Sequence, residues 1–275
     1  ITSEGDAERY NFDITIGGNF DEGRGNAVLY ASYLSRKALF SDARDFSSNA
    51  LLDSTVGGKP ALVPGGSSGV PGTRVFGGPT LPNGDTLGIF DSNGEGRAWQ
   101  EPGDRFNYAP DNFLQLPQER YLLTAMGHYD ITDTVEIYSE MNFSHNLVPQ
   151  ELAPTPAFTS VFVNPNSAFF GPNAQAALNT PASLATADAN GNIPLYIGRR
   201  MVENGSRQSV DTRDSFRILL GTSGDITDTW SFDASYSFSN LDNSNVLNND
   251  VSASRFVQAA AVTDDGLACQ DTSGG

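Results

Sequence analysis

The residues equipped for chemistry in this chain are few. His128 and His145 are its only histidines, and Cys269 is its only cysteine. A nucleophile–histidine–acid site needs an imidazole beside a thiol or hydroxyl, with an acid behind it. No motif here sets such a spacing, so neither a secreted hydrolase nor any other enzyme is expected. His128 falls on the polar side of a strand pattern and reads as a solvated side chain. His145 reads the same way, placed near the outer end of its strand. Neither belongs to a cluster with zinc-ligand spacing.

The acidic turns offer a second kind of chemistry. Asp91-Ser92-Asn93-Gly94-Glu95-Gly96 echoes the start of a calcium loop, but the twelfth position is Pro102 where a bidentate glutamate is needed, and Glu101 sits one residue short. Asp188-Ala189-Asn190-Gly191-Asn192 has the composition of a turn. No metal site or cofactor is expected, although the acidity allows weak calcium binding at the surface. Phe158, Phe162, Phe169 and Phe170 sit among prolines and asparagines, where they either contact a small-molecule ligand or pack within their own loop. Cys269 is either a free thiol or half of a bridge whose partner lies beyond Gly275.

The elements that must position these residues are strands. Tyr10, Phe12, Ile14, Ile16 and Phe20 alternate with Asn11, Asp13, Thr15, Gly17 and Asn19, then turn through Asp21-Glu22-Gly23-Arg24-Gly25, whose glycines are expected to supply positive φ. Ala27, Leu29, Ala31 and Tyr33 share a face on the return. A second hairpin runs from Glu119 through Tyr121, Leu123, Ala125 and Gly127 to Tyr129, and returns from Val135 to about His145. The third places Phe216, Ile218 and Leu220 on one face, and its return is Trp230-Ser231-Phe232-Asp233-Ala234-Ser235-Tyr236-Ser237-Phe238. Asp130-Ile131-Thr132-Asp133-Thr134 and Asp225-Ile226-Thr227-Asp228-Thr229 repeat one phrase at the two turns, 95 residues apart. The flanking arms match in pattern rather than in identity.

The hairpins span about 10–37, 118–146 and 213–241, with long segments at about 41–117, 147–210 and 242–275. Turns of about five residues all fall at one end of the sheet, and the long loops fall at the other. Gly57-Gly58, Gly65-Gly66, Gly69 and Gly77-Gly78 punctuate the first long loop, which has little that could form a core. Short helices are expected at Ala174 to Leu178 and at Ser254 to Val262, the latter capped by Ser252 or Ser254.

The bulk numbers bound the class. With 16 Lys+Arg against 33 Asp+Glu the net charge is -17, a field that repels nucleic-acid backbones. Charged residues make up only 18%, alongside 28 Gly and 15 Pro, which is a loop-rich rather than a helical composition. No apolar run approaches a membrane helix, but barrel strands are short, alternating and weak in hydropathy. Strands apolar on one side and too polar for a packed interior on the other suit a sheet with lipid on one face and water on the other. Unequal connections fit as well, because outer-membrane barrels have short periplasmic turns and long external loops. Trp230, Tyr129 and Tyr10 then read as members of an aromatic belt or as ordinary sheet-face aromatics. Arg217, Glu136, Glu140 and Asp233 would line the lumen. No secretory signal is present and Ile1 is not an initiator, so the chain reads as a piece of a longer or processed protein.

On these residues the chain resembles the TonB-dependent outer-membrane receptors of Gram-negative bacteria. Tyr10 to Phe20 with Gly23-Arg24-Gly25 resembles an early barrel hairpin of that family. Asn107-Tyr108-Ala109-Pro110-Asp111-Asn112-Phe113 through Pro117 to Tyr121 resembles its loop-to-strand re-entry, and the Asp-Ile-Thr-Asp turns resemble its periplasmic turns. Arg255-Phe256 and Cys269-Gln270-Asp271-Thr272-Ser273-Gly274-Gly275 resemble an external-loop segment that often continues to a second cysteine. The resemblance implies an all-β fold of antiparallel amphipathic hairpins within a transmembrane β-barrel, with long extracellular loops carrying short helices. It also implies a location in the outer membrane, contact with its lipid, and uptake of a scarce nutrient such as a metal chelate, a vitamin or a saccharide. Energy would come from the TonB protein through a plug domain absent from this chain. The family barrel has about 22 strands and six are counted here, so residues 1–275 are expected to supply part of the wall and its loops. The rival expectation is a soluble cell-surface adhesin or β-sandwich binding protein, whose sheets would cover one another's apolar faces.

Overall fold

The computed structural model describes residues 2–272. Strands hold 53% of the chain and helices 11%, against roughly a quarter strand in an ordinary domain, and the fold is all-β and mostly antiparallel. In chain order the early strands are β1 (Arg9–Phe20), β2 (Gly25–Arg36), β3 (Leu39–Phe40), β4 (Leu51–Val56) and β5 (Lys59–Pro64). Next come β6 (Arg74–Phe76), β7 (Ile89–Phe90), β8 (Gly96–Arg97), β9 (Phe113–Gln115), β10 (Gln118–Thr132) and β11 (Val135–Leu152). The last are β12 (Pro156–Val163), β13 (Ile193–Arg200), β14 (Arg207–Thr227) and β15 (Trp230–Asn248). Three helices, α1 (Pro172–Leu178), α2 (Pro181–Leu184) and α3 (Ala253–Ala260), lie between and after them.

The chain divides into two compact units. The first comprises Ile1–Phe40, Phe113–Glu151 and Gln208–Leu247. It is an open six-stranded sheet in the order β1-β2-β10-β11-β14-β15, each strand beside its predecessor in the order. Among the described residues it does not close into a barrel; β1 and β15 are its edges. The strands outrun the sequence pattern. β14 begins at Arg207 instead of near Asp214, and β15 continues past Leu241 to Asn248.

The turns are tighter than five residues. Thr132 pairs with Val135, so only Asp133 and Thr134 reverse the chain, and a bulge falls between Asp130 and Thr132. The Thr134 amide donates to Thr132 Oγ1 at 3.3 Å, and the Thr229 amide donates to Thr227 Oγ1 at 3.3 Å. The repeated phrase therefore builds the same threonine-bonded reversal twice. The first hairpin turns differently. Asp21, Glu22 and Gly23 have φ of 52°, 58° and 97°. Gly25, expected to supply positive φ, does not; it is glycine because the Phe20 ring covers it, and a Cβ there would lie 2.3 Å from two ring carbons.

The second unit comprises Ser41–Asn112, Leu152–Arg207 and Asn248–Gly275. It contains a five-stranded sheet, β12-β13-β6-β7-β8, and the separate β4-β5 hairpin. The expectation that the first long loop lacks core-forming residues is overturned. Val75, Leu81, Leu87 and Phe90 from that loop join Val161, Val163, Leu178, Leu195 and Ile197 in one buried cluster. These side chains are scattered between glycine turns rather than periodic, so tertiary contact, not pattern, makes them a core. α1 starts at Pro172 with Gly171 at its N-cap, where no side chain can cap. Glu95 substitutes from another loop, accepting the Asn173 amide at 3.0 Å. α3 begins after Ser252, whose side chain makes no cap bond.

Candidate functional site

Two features carry functional information, one in each unit. In the first unit it is the apolar face of the six-stranded sheet. Pairing aligns Phe12, Tyr33, Tyr121 and His145 in one transverse row. A second row aligns Phe20, Gly25, Tyr129 and Ile137, with the Phe20 and Tyr129 rings stacked across Gly25 at 6.0 Å. Between the rows lie exposed Ile14, Ile16, Leu29, Leu123 and Met141. Tyr121 and Tyr129 are eight residues apart on β10, about 27 Å along the strand.

The phenol groups point away from this band at both margins. At one margin Tyr33 and Tyr121 donate to Glu119 at 3.2 and 2.5 Å, and Tyr10 donates to Glu8 at 2.9 Å. At the other, Tyr129 donates to Asp21 at 2.6 Å, and the Arg24 guanidinium stands 5.4 Å from its ring. Each acceptor lies beyond its tyrosine, on the side away from the aliphatic centre. Amphipathic rings adopt this pose where an apolar medium meets water.

The opposite face of the sheet is a polar network. Tyr30 donates to Asp13 at 2.8 Å, Thr124 to Asn142 at 2.9 Å, and Asn142 to Glu140 at 2.7 Å. Arg217 lies 3.6 Å from Glu140. Tyr138 passes over Gly221, where a Cβ would meet its ring at 2.2 Å, and reaches Asp233 at 3.0 Å. His128 is exposed on this face. His145 is not at the end of its strand but seven residues short of Leu152. Its Nδ1 meets Asp214 Oδ1 at 2.6 Å. The adjacent Ser144 and Ser215 bond one another at 2.7 Å on the other face, so this imidazole–carboxylate pair has no hydroxyl aligned to it.

In the second unit the feature is an apolar cavity of about 760 Å³. Val161, Val163, Leu195 and Ile197 form its floor. Phe90, Phe169 and Phe170 make one wall; Phe256, Ala259 and Ala260 of α3 make the other. The alanines leave the room, since they have no chain beyond Cβ. Phe90 and Phe170 pack with ring centroids 4.9 Å apart. At the rim Arg199 pairs with Glu203 and donates to the Pro71 carbonyl.

Of the four phenylalanines singled out in the sequence, Phe169 and Phe170 line this cavity, while Phe158 and Phe162 do not. Strand alternation explains the split. Phe158 and Phe162 lie on the face of β12 opposite Val161 and Val163. There Phe158 packs with Phe76 at 6.2 Å, and Phe76 with Tyr196 at 5.5 Å.

Asp91 Oδ1 accepts the Asn93 and Glu95 amides at 2.8 and 2.9 Å, and Asp188 Oδ1 accepts those of Asn190 and Asn192 in the same way. In both loops glycine with positive φ follows, at Gly94 and Gly191. These carboxylates are used to close turns. Among the described residues no group of three or more histidine, cysteine or acidic side chains could hold a metal ion. Cys269 is half-buried on a β-bridge with Val262 and has no cysteine partner among the described residues; a bridge to a cysteine beyond Gly275 would lie outside them.

Sequence reasoning missed a polar scaffold in this unit. Arg97 grips Asp104 with two bonds of 2.7 and 2.6 Å, and Arg105 grips Glu101 with bonds of 2.6 and 3.0 Å. Arg200 is 3% exposed and donates to the Pro154 and Gly69 carbonyls, with its guanidinium 4.8 Å from the Phe106 ring. Burial lowers its pKa, with nearby Arg207 adding to the effect.

The Arg97 hydrogen bonds hold the Asp104 carboxyl below its ordinary 3.8, with the Gln100 amide assisting. Arg105 holds Glu101 below 4.5, helped by the Trp99 indole. Such groups bind fewer protons folded than unfolded, so their stabilisation is complete above about pH 4.5 and is lost as pH falls through and below 3.8. Asp104→Asn is expected to lower stability by about 1–2 kcal/mol near neutrality, the exposed Arg97 side being screened. Urea unfolding followed through Trp99 should show that difference shrink at about pH 3; an equal difference at both pH values would show that the ion pair is not its source.

No family model, curated protein or solved structure matches the chain.

Proposed function

We propose that the six-stranded sheet is a stretch of transmembrane β-barrel wall in an outer-membrane uptake receptor of the TonB-dependent kind, and that the second unit presents its ligand-contacting loops. The observation that carries this reading is the pair of aromatic rows whose phenols point away from an exposed aliphatic band. A soluble sheet covers such a face with a second layer; here the aliphatic side chains are exposed. Long edges at β1 and β15 support it too, since strands of 12 and 19 residues with one open side call for neighbours. The polar face then lines the lumen and the lipid of the outer membrane meets the other.

Within this reading the protein binds and passes a small molecule and performs no chemistry on it. Coupling to the TonB protein would run through a plug domain carried elsewhere in the parent receptor. The cavity between β12, β13 and α3 is the candidate ligand site. Its lining suits a cargo with an apolar body, such as a vitamin or the organic shell of a metal chelate. Thr73, Asp91, Ser92, Arg199 and Glu203 also line it, so the hydroxyls of a saccharide would find polar partners as well.

Trp230, exposed at the start of β15, provides the test. A Trp99→Phe protein leaves it as the single tryptophan. Reconstituted in vesicles of brominated phosphatidylcholine, its fluorescence should be quenched most by bromines placed high on the acyl chain. Absence of quenching, or a native chain that stays monodisperse without detergent, would instead support the soluble adhesin or sandwich.

A further inference from the structure

The β4-β5 hairpin stands apart from both larger sheets. Its turn is Gly57-Gly58, with φ of 60° and 78°, the left-handed pair that matches strand twist in a two-residue hairpin. Leu51, Leu52, Val56 and Leu62 are all exposed, between 39% and 63%. A lone two-stranded ribbon with apolar side chains in water is marginal. Something that covers it would therefore stabilise it.

The prolines decide which edge is open. Pairing sets Thr55 opposite Pro60, Asp53 opposite Leu62, and Leu51 opposite Pro64. In an antiparallel pair, backbone N–H groups point alternately toward the partner strand and away from it. Proline has no N–H, so Pro60 and Pro64 fit only where nitrogen points away from β4. By the same alternation the outward groups of β4 belong to Leu51, Asp53 and Thr55, each with its donor and acceptor. The outer edge of β5 keeps one donor, at Leu62. One edge of the hairpin is blocked and the other is a complete template.

We propose that β4 is the docking edge for an extended segment of another polypeptide, added as a third strand, with alternating apolar side chains and a lysine or arginine opposite Asp53. Alternating donors and acceptors at strand spacing are what a polypeptide backbone offers and a small molecule does not. The sign of the partner follows from Asp53 and from the net charge of -17. A second copy of this chain fits poorly. The register that uses all three outward positions of both strands places Asp53 against Asp53, and like charges directly opposite are destabilising.

The probe is an acetylated, amidated peptide of alternating valine and lysine, about nine residues long, titrated into the full chain in detergent. It is expected to bind. Methylating every second backbone nitrogen of the peptide should weaken binding at least about tenfold, and so should Thr55→Pro, whereas Leu62→Pro should change nothing. Thr55→Pro leaves the charge intact, so its effect separates strand pairing from attraction to an acidic protein. The methylated peptide meets the native chain, so the comparison holds even where the variant fails to fold. Equal affinity for methylated and unmethylated peptides, no binding, or binding lost in Leu62→Pro alone would each overturn the proposal.

Discussion

Arginine in place of Ala125 is expected to destabilise the chain in a bilayer by about 2–4 kcal/mol, and arginine in place of Tyr121 or Tyr129 by about 0–1 kcal/mol. Ala125 lies four residues from each tyrosine on β10, in register with Leu29 and Met141. If the aromatic rows mark two interfaces, a charge midway between them sits deepest in hydrocarbon, while one at either row reaches water. The cost should therefore peak at Ala125 and decline through Leu123 and Gly127. Arginine at Thr124, on the polar face, should cost little. Urea titration of the reconstituted variants measures this profile. A flat profile, or one rising toward either end of β10, would be inconsistent with a wall that spans a bilayer.

Truncating Leu87 to alanine should cost about 2–5 kcal/mol in the second unit, among the largest single-residue effects available there. Leu87 is fully buried. The site cannot collapse easily, because backbone packs it closely: a Cβ on Gly96 would meet Leu87 Cδ1 at 2.8 Å, and one on Gly78 would meet the Leu87 carbonyl at 2.3 Å. The missing methyls therefore leave a cavity that neighbours cannot fill. Trp99 fluorescence reports unfolding of this unit, since a Cβ on Gly88 would lie 2.4 Å from the Trp99 amide. A loss below about 1 kcal/mol would mean that the loop-derived core is not tightly packed.

Particular residues show how far the sequence could be read. The faces of β1, β10 and β15 were legible because one side is apolar and the other polar, which fixes a period of two. The ends of β14 and β15 were not, since Asp242 to Asn245 are polar on both faces and the adjacent Val246 and Leu247 fall on opposite faces, so no alternation marks the strand. Phe158 and Phe169 look alike in composition; strand parity turns Phe158 away from the cavity, whereas Phe169 lines it from a turn beyond the end of β12. The Asp214 partner of His145 depended on strand register between residues 69 apart in sequence. Val75, Leu81 and Leu87 have no period at all. Their burial comes from strands and helices far along the chain, so nothing local could announce it.

The small β3-β9 pairing has a consequence for how such a chain can change. Leu39 and Phe40 pair with Gln115 and Phe113, and the Phe40 and Phe113 rings meet at 4.6 Å. The excursion of 72 residues between Ser41 and Asn112 is thus pinned shut at its neck. To the sheet it resembles a tight reversal, because lengthening an already closed loop adds only a logarithmic entropy. Insertions, deletions or wholesale replacement of the excursion can then leave the β2-β10 register untouched. The neck acts as a graft junction, at which new recognition surfaces can be exchanged on an unchanged frame.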